Sequence, residues 1–114
     1  MKELRSFYYA LRGIGHGVMH ERHMRFHLVA TVAVAGAGIW LGISRVEWCL
    51  VVICIGCVIC AELVNTAIER LTDLASPGRH PLAGQAKDVA AGAVLIISIA
   101  AAIVGALVFI PYLI

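Results

Sequence analysis

With 114 residues, 61% hydrophobic content and only 14% charged residues, the chain is too apolar for an ordinary water-soluble domain. Its mean hydropathy of +0.93 fits a small integral membrane protein. The net charge of +2 comes from basic residues that flank apolar runs instead of forming a block, which argues against a nucleic-acid partner.

The residues before Leu28 are too charged to span a bilayer. Leu4, Tyr8, Leu11 and Val18 nevertheless recur at helical spacing and predict an amphipathic helix on the membrane surface. Gly13, Gly15 and Gly17 are expected to loosen or end that helix. Three uncharged stretches follow, 28–44, 48–61 and 89–114, and a span needs roughly 20 residues. The second reaches that length if it continues through Leu63, Val64, Ala67 and Ile68. The fold class expected is therefore an all-α membrane protein, three transmembrane helices plus a surface helix. It forms one domain, 1–114, with its nearest break at the Pro77, Gly78 and Pro81 loop. So short a chain encloses little between three helices, so a composite site in a homo-oligomer is expected.

Lys2, Arg5, Arg12, Arg22 and Arg25 precede the first span, Arg45 lies in the first connection, and Arg70, Arg79 and Lys87 are expected in the second. This bias puts the N-terminus and the second connection in the cytoplasm. The amphipathic start does not read as a cleavable signal.

Glu62, Asn65, Glu69 and Asp73 follow at spacings of three, four and four, where the second apolar stretch runs out. At about 100° per residue they share one helical face. A carboxylate at membrane depth costs at least roughly 2.5 kcal/mol near a helix centre, so the stripe reads as the working site. Glu21 and Arg25 before the first span, and Lys87 and Asp88 before the third, fall at the same boundary. Carboxylates from different helices with a lysine suit a divalent metal on a nucleotide, because Mg²⁺ takes one or two carboxylates plus phosphate oxygens. The plainer reading of those four is that charges gather where headgroups begin.

Other patterns carry less. His16, His20, His23 and His27 are spaced four, three and four and share a face if one helix holds them. The zinc-protease pattern fails because position 24 is Met, which leaves a histidine-lined metal site against interfacial histidines among headgroups. Cys54, Cys57 and Cys60, with Cys49 nearby, lie inside an apolar helix and read as packing residues. Gly84 and Lys87 do not form a Walker A loop.

Glu62-Leu-Val-Asn65-Thr66-Ala-Ile-Glu69, then Asp73, then His80-Pro-Leu-Ala-Gly84-Gln-Ala-Lys87-Asp88 resembles the signature of the small prokaryotic diacylglycerol kinase family, which includes undecaprenol kinases. Glu21-Arg-His-Met-Arg25-Phe-His27 resembles the family's segment before its first span, so the likeness covers nearly the whole chain. It implies a homotrimeric helical bundle in the bacterial cytoplasmic membrane that transfers the γ-phosphate of ATP to a lipid alcohol. By that likeness Glu62 is the general base, and Glu69 and Glu21 hold Mg²⁺ on the triphosphate. Asn65 positions metal or phosphate, Lys87 neutralises the γ-phosphate, Asp73 and Asp88 orient neighbours or nucleotide, and His80 lies near the nucleotide. Arg5, Arg12 and Arg25 are expected to make substrate or surface-helix contacts. Spacing alone does not separate base from metal ligand. The Asn65-Thr66-Ala67 version and the 21–27 segment look more like the undecaprenol kinase branch than the diacylglycerol kinase branch.

Two other classes compete. Intramembrane carboxylates also mark ion pathways, but a pathway would continue polar groups to the far side. A histidine-rich metal carrier would depend on His16 to His27 and ignore Glu62.

Overall fold

A computed structural model describes all of Met1–Ile114 as four helices with short connections and no strand. α1 (Lys2–His20) precedes α2 (Arg22–Leu41), α3 (Arg45–Ala75) and α4 (Pro81–Leu113). The last three are long and apolar enough to cross a membrane. At about 1.5 Å per residue, the 31 residues of α3 and the 33 of α4 extend roughly 46 and 50 Å. Both exceed a hydrocarbon layer of about 30 Å, so each carries helical turns outside it.

The glycines of α1 neither loosen nor end it: the helix runs unbroken to His20. Gly17 shows one physical reason. A Cβ there would lie 2.7 Å from Leu63 Cδ2, so the missing side chain lets α1 approach α3. The break comes instead at Glu21, whose backbone is extended (φ −114°, ψ 120°). His16 and His20 therefore sit on α1 while His23 and His27 sit on α2, and the four do not form one continuous helical face.

The far end of the bundle is tightly closed. Gly42 ends α2 in the left-handed conformation (φ 65°, ψ 48°), and the N–H groups of Gly42 and Ile43 both donate to the Gly38 carbonyl, at 3.0 and 3.2 Å. Ser44 then starts α3 with a capping box: its hydroxyl accepts from the Glu47 N–H, and the Glu47 carboxylate accepts from the Ser44 N–H. The Tyr112 hydroxyl donates to the same carboxylate, tying the end of α4 to the start of α3. Ile43, Val51 and Val108 form the buried cluster beside this corner, with Val34, Trp48, Ile55, Val104 and Phe109 packed around it.

Burial is otherwise sparse. Only 11 of the 114 residues are buried, so nearly all the apolar surface of the spans is left for lipid or for another chain.

Candidate active site

The stripe lies on the last half of α3, at the end opposite the apolar cluster. Glu62 is 17 residues past the start of α3, about 26 Å along the axis, which sets it near the edge of a hydrocarbon layer that begins at the capping box. Glu62, Asn65 and Thr66 are the three buried polar or charged residues of the chain (5%, 9% and 7% exposed). Burial of a carboxylate costs several kcal/mol unless partners compensate, so their concentration in one turn and a half is a constraint on the fold, not a consequence of it.

Local bonds order this segment. The Asn65 side chain donates from Nδ2 to Glu69 Oε1 at 3.0 Å, one turn along. Thr66 Oγ1 donates to the Glu62 carbonyl at 3.0 Å, and Thr72 Oγ1 to the carbonyls of Ile68 and Glu69. These hydroxyls satisfy themselves on their own helix and leave the acidic side chains free. Glu62 Oε2 and Asn65 Oδ1 are buried with no hydrogen-bond partner. The imidazole of His27 on α2 faces Glu62, with Nε2 3.8 Å from Oε2.

A second group of residues gathers where α3 gives way to α4. Lys87 Nζ pairs with Asp73 Oδ1 across the two helices. His80 caps α4, its Nδ1 accepting from the Leu82 N–H at 3.1 Å, and Pro81 occupies the first turn where its missing N–H costs nothing. Asp73, Arg79, His80 and Lys87 line a polar cleft of about 740 Å³. Two basic side chains, a histidine and a helix N-terminus facing one cleft suit a polyanion. Asp88 is exposed on the next position of α4.

The joint between α1 and α2 approaches from the other side. Arg70 Nη2 lies 4.0 Å from Glu21 Oε1, and its Nη1 donates to His16 Nε2 at 2.5 Å. The neighbouring His20, followed by burial and the Arg70 and Arg12 guanidiniums, holds the His16 imidazole below the usual histidine range. Arg5, Arg12 and Arg25 are exposed and form no ion pair with the stripe.

The structure thus brings Glu62, Asn65 and Glu69 together on α3, Asp73 to Lys87, and Glu21 to Arg70. It leaves Arg5, Arg12, Arg25 and Asp88 apart from them. Arg79 and Arg70 carry no sequence signal beyond their charge; they become visible only once the loop and the α1–α2 joint are folded. No three acidic, histidine or cysteine side chains converge into a metal-holding group within the chain, the histidines of α1 and α2 included.

Three apolar spans, a carboxylate stripe in which Glu62 is buried, and a polar cleft beyond it lined by Arg79, His80 and Lys87 define a helical membrane protein with one end suited to a polyanion. Comparison with known proteins makes that specific. The profile of the family described as prokaryotic diacylglycerol kinase matches residues 8–109. The chain is 42% identical over 109 residues to the undecaprenol kinase of Bacillus subtilis (strain 168), covering 96% of this chain and 89% of that protein. It is 38% identical over 107 residues to a diacylglycerol kinase of Synechocystis sp., covering 93% of this chain and 61% of that protein. Over 95 residues it is 30% identical to the diacylglycerol kinase of Escherichia coli (strain K12), covering 83% of this chain and 78% of that protein. The chain belongs to the prokaryotic diacylglycerol kinase family, and it is a membrane lipid kinase that uses ATP.

Proposed function

We propose that the chain is a homotrimeric kinase of the bacterial cytoplasmic membrane that phosphorylates the hydroxyl of a polyprenol, undecaprenol in preference to diacylglycerol. The single observation that carries this reading is the position of buried Glu62 beside a hydrocarbon-lined cavity. That cavity, about 340 Å³ between α2, α3 and α4, begins at Phe26 and His27 and continues past Val34, Val51 and Gly105. Its polar lining is confined to His27, to Thr31, whose hydroxyl is spent on the His27 carbonyl, and to Ser98, whose buried hydroxyl has no partner. A polyprenol is pure hydrocarbon from its first carbon and asks for nothing more. The two ester groups of a diacylglycerol would find one hydroxyl between them.

In this reading Glu62 takes the proton from the lipid hydroxyl as that oxygen attacks the γ-phosphorus, and the electrons of the broken bond leave with ADP. Phosphoryl transfer asks mainly for positioning and charge neutralisation. Lys87, with Arg79 and His80 around the cleft, neutralises the triphosphate, while Asp73 holds the Lys87 ammonium until nucleotide displaces it. Asp88 orients the nucleotide from the exposed side of α4. Arg5, Arg12 and Arg25 anchor α1 and the start of α2 to headgroups.

The donor set fits Mg²⁺: Glu69, Glu21 and the unpartnered Asn65 Oδ1 are hard oxygens, and the ion needs few of them from protein. Bound there, Mg²⁺ would neutralise triphosphate charge and template its oxygens. Few buried residues and no complete three-ligand group within one chain favour sites shared between subunits. The basic residues about α1 and the α3–α4 connection favour a cytoplasmic site.

The test is phosphate transfer from radiolabelled ATP with Mg²⁺ to undecaprenol and to diacylglycerol, offered separately to purified protein in detergent. Faster labelling of undecaprenol supports the reading; faster labelling of diacylglycerol overturns the preference, and labelling of neither overturns the reading itself.

A further inference from the structure

We propose that His27 is the positioning residue for the base, holding the Glu62 carboxylate toward the mouth of the acceptor cavity. The inference rests on the reading of Glu62 as the base, and it starts from an imbalance. Glu62 Oε2 is buried and lacks any hydrogen-bond partner, although Thr66, one turn away, uses the Glu62 backbone carbonyl. A carboxylate oxygen in that state is costly unless something nearby donates to it. The basic side chain that faces the Glu62 carboxylate is His27, itself mostly shielded at 18% exposed, against 7% for the glutamate.

The 3.8 Å separation of His27 Nε2 from Oε2 is longer than a hydrogen bond, as catalytic contacts often are before substrate arrives. His27 also lines the cavity, so one side chain touches both the base and the space assigned to the lipid. Its own place is fixed by the helix: α2 is continuous through it, and Thr31 caps its carbonyl at 2.7 Å.

The division of labour follows from the geometry. An imidazole N–H directed at Oε2 leaves Oε1 to accept the proton from the lipid hydroxyl. That proton passes from the hydroxyl oxygen to Oε1 while the new O–P bond forms and the bond to the ADP oxygen breaks. His27 exchanges no proton in the step; it sets which lone pair faces the acceptor. A residue in this role governs the rate of the chemical step and leaves nucleotide binding alone.

The test uses the full chain in detergent with Mg²⁺, ATP and undecaprenol. His27→Leu should lower kcat about 10- to 100-fold, the range typical for loss of an orienting partner. The KM for ATP should stay within about twofold. His27→Gln keeps an N–H donor of similar reach and should recover most of the loss. Wild-type kcat in His27→Leu, or equal damage from both substitutions, overturns the proposal. Where His27→Leu fails to fold, ¹⁵N-imidazole NMR decides. In Glu62→Gln the His27 resonances should move while those of His23 stay in place, and unmoved His27 resonances overturn the contact. Glu62→Gln is assayed in parallel. If it retains full transfer, the base reading falls and the proposal with it. If Glu62→Gln is inactive while His27→Leu is fully active, only the proposal falls.

Discussion

Asn65 and Glu69 are joined by a 3.0 Å hydrogen bond one helical turn apart, while the other polar atom of Asn65, Oδ1, is buried and unpartnered. The amide thus fixes a carboxylate with one end and offers an oxygen with the other. Asn65→Ala removes both functions. We expect Mg²⁺-dependent ATP affinity to fall about tenfold in Asn65→Ala and further in Glu69→Ala. Titration of ATP binding across Mg²⁺ concentrations measures this, and an unchanged Mg²⁺ dependence in Glu69→Ala removes the metal assignment.

Glu62→Gln keeps the shape of the side chain and discards its basicity. Transfer should drop about 10²- to 10⁴-fold, as expected for loss of a general base. The protein should elute from a sizing column as the parent does, because the substitution removes a buried charge instead of creating one. Retained activity would strip Glu62 of the role.

Lys87 and Asp73 form an ion pair whose side chains are 39% and 63% exposed, a setting in which such a pair contributes about 0–1 kcal/mol to stability. Loss of the lysine should therefore appear in function and not in folding. Lys87→Ala is expected to lower kcat/KM for ATP far more than Arg5→Ala or Arg12→Ala, and Asp73→Asn to have the milder effect of the pair. Steady-state kinetics at varied ATP checks the order; comparable losses for Lys87→Ala and Arg12→Ala would move α1 into the site.

Gly17 and Leu63 set how closely α1 lies on α3. Gly17→Val should destabilise the protein by about 1–3 kcal/mol through overpacking. The gain of up to about 1 kcal/mol in helix propensity makes Gly17→Ala a weaker probe. Leu63→Ala should suppress part of the defect. Thermal unfolding in detergent, read as a double-mutant cycle, shows no coupling if the contact is unimportant.

His16 provides the pH dependence. Its folded value lies below the usual one near 6.5, so the folded chain binds the proton less readily than the unfolded chain. That contribution is complete above about pH 6.5 and is lost as pH falls through the lowered folded value, when an imidazolium would face the Arg70 guanidinium. The protection factors of α1 amides, which remove the intrinsic pH dependence of exchange, should fall as pH drops below about 6.5, and His16→Asn should flatten the change.

Much of this architecture is written in local spacing. Three spans follow from uncharged lengths, and the acidic stripe follows from the three-four-four interval that starts at Glu62. What spacing misses is set by contacts distant in sequence. Gly17 reads as a helix breaker until Leu63, 46 positions later, is seen to need the room. The four histidines look like one face because nothing local announces that Glu21 leaves the helix. His80 reads as a nucleotide residue, yet it also caps α4, a role that any side chain able to accept from the Leu82 N–H could fill. The partnership of His27 with Glu62 crosses two helices and has no signature in either.

The closed corner formed by Gly42, Ser44, Glu47 and Tyr112, with Ile43, Val51 and Val108 packed beside it, makes the molecule one-sided. With Glu62 as the proposed base, a hydroxyl would slide sideways to it with its chain still in the bilayer, whereas a phosphate, once made, would face hydrocarbon in the direction of the closed corner, where an unpaired charge is strongly disfavoured. The product would therefore depart through the leaflet by which the alcohol arrived. Carrying the charged headgroup to the opposite leaflet would then be a separate task.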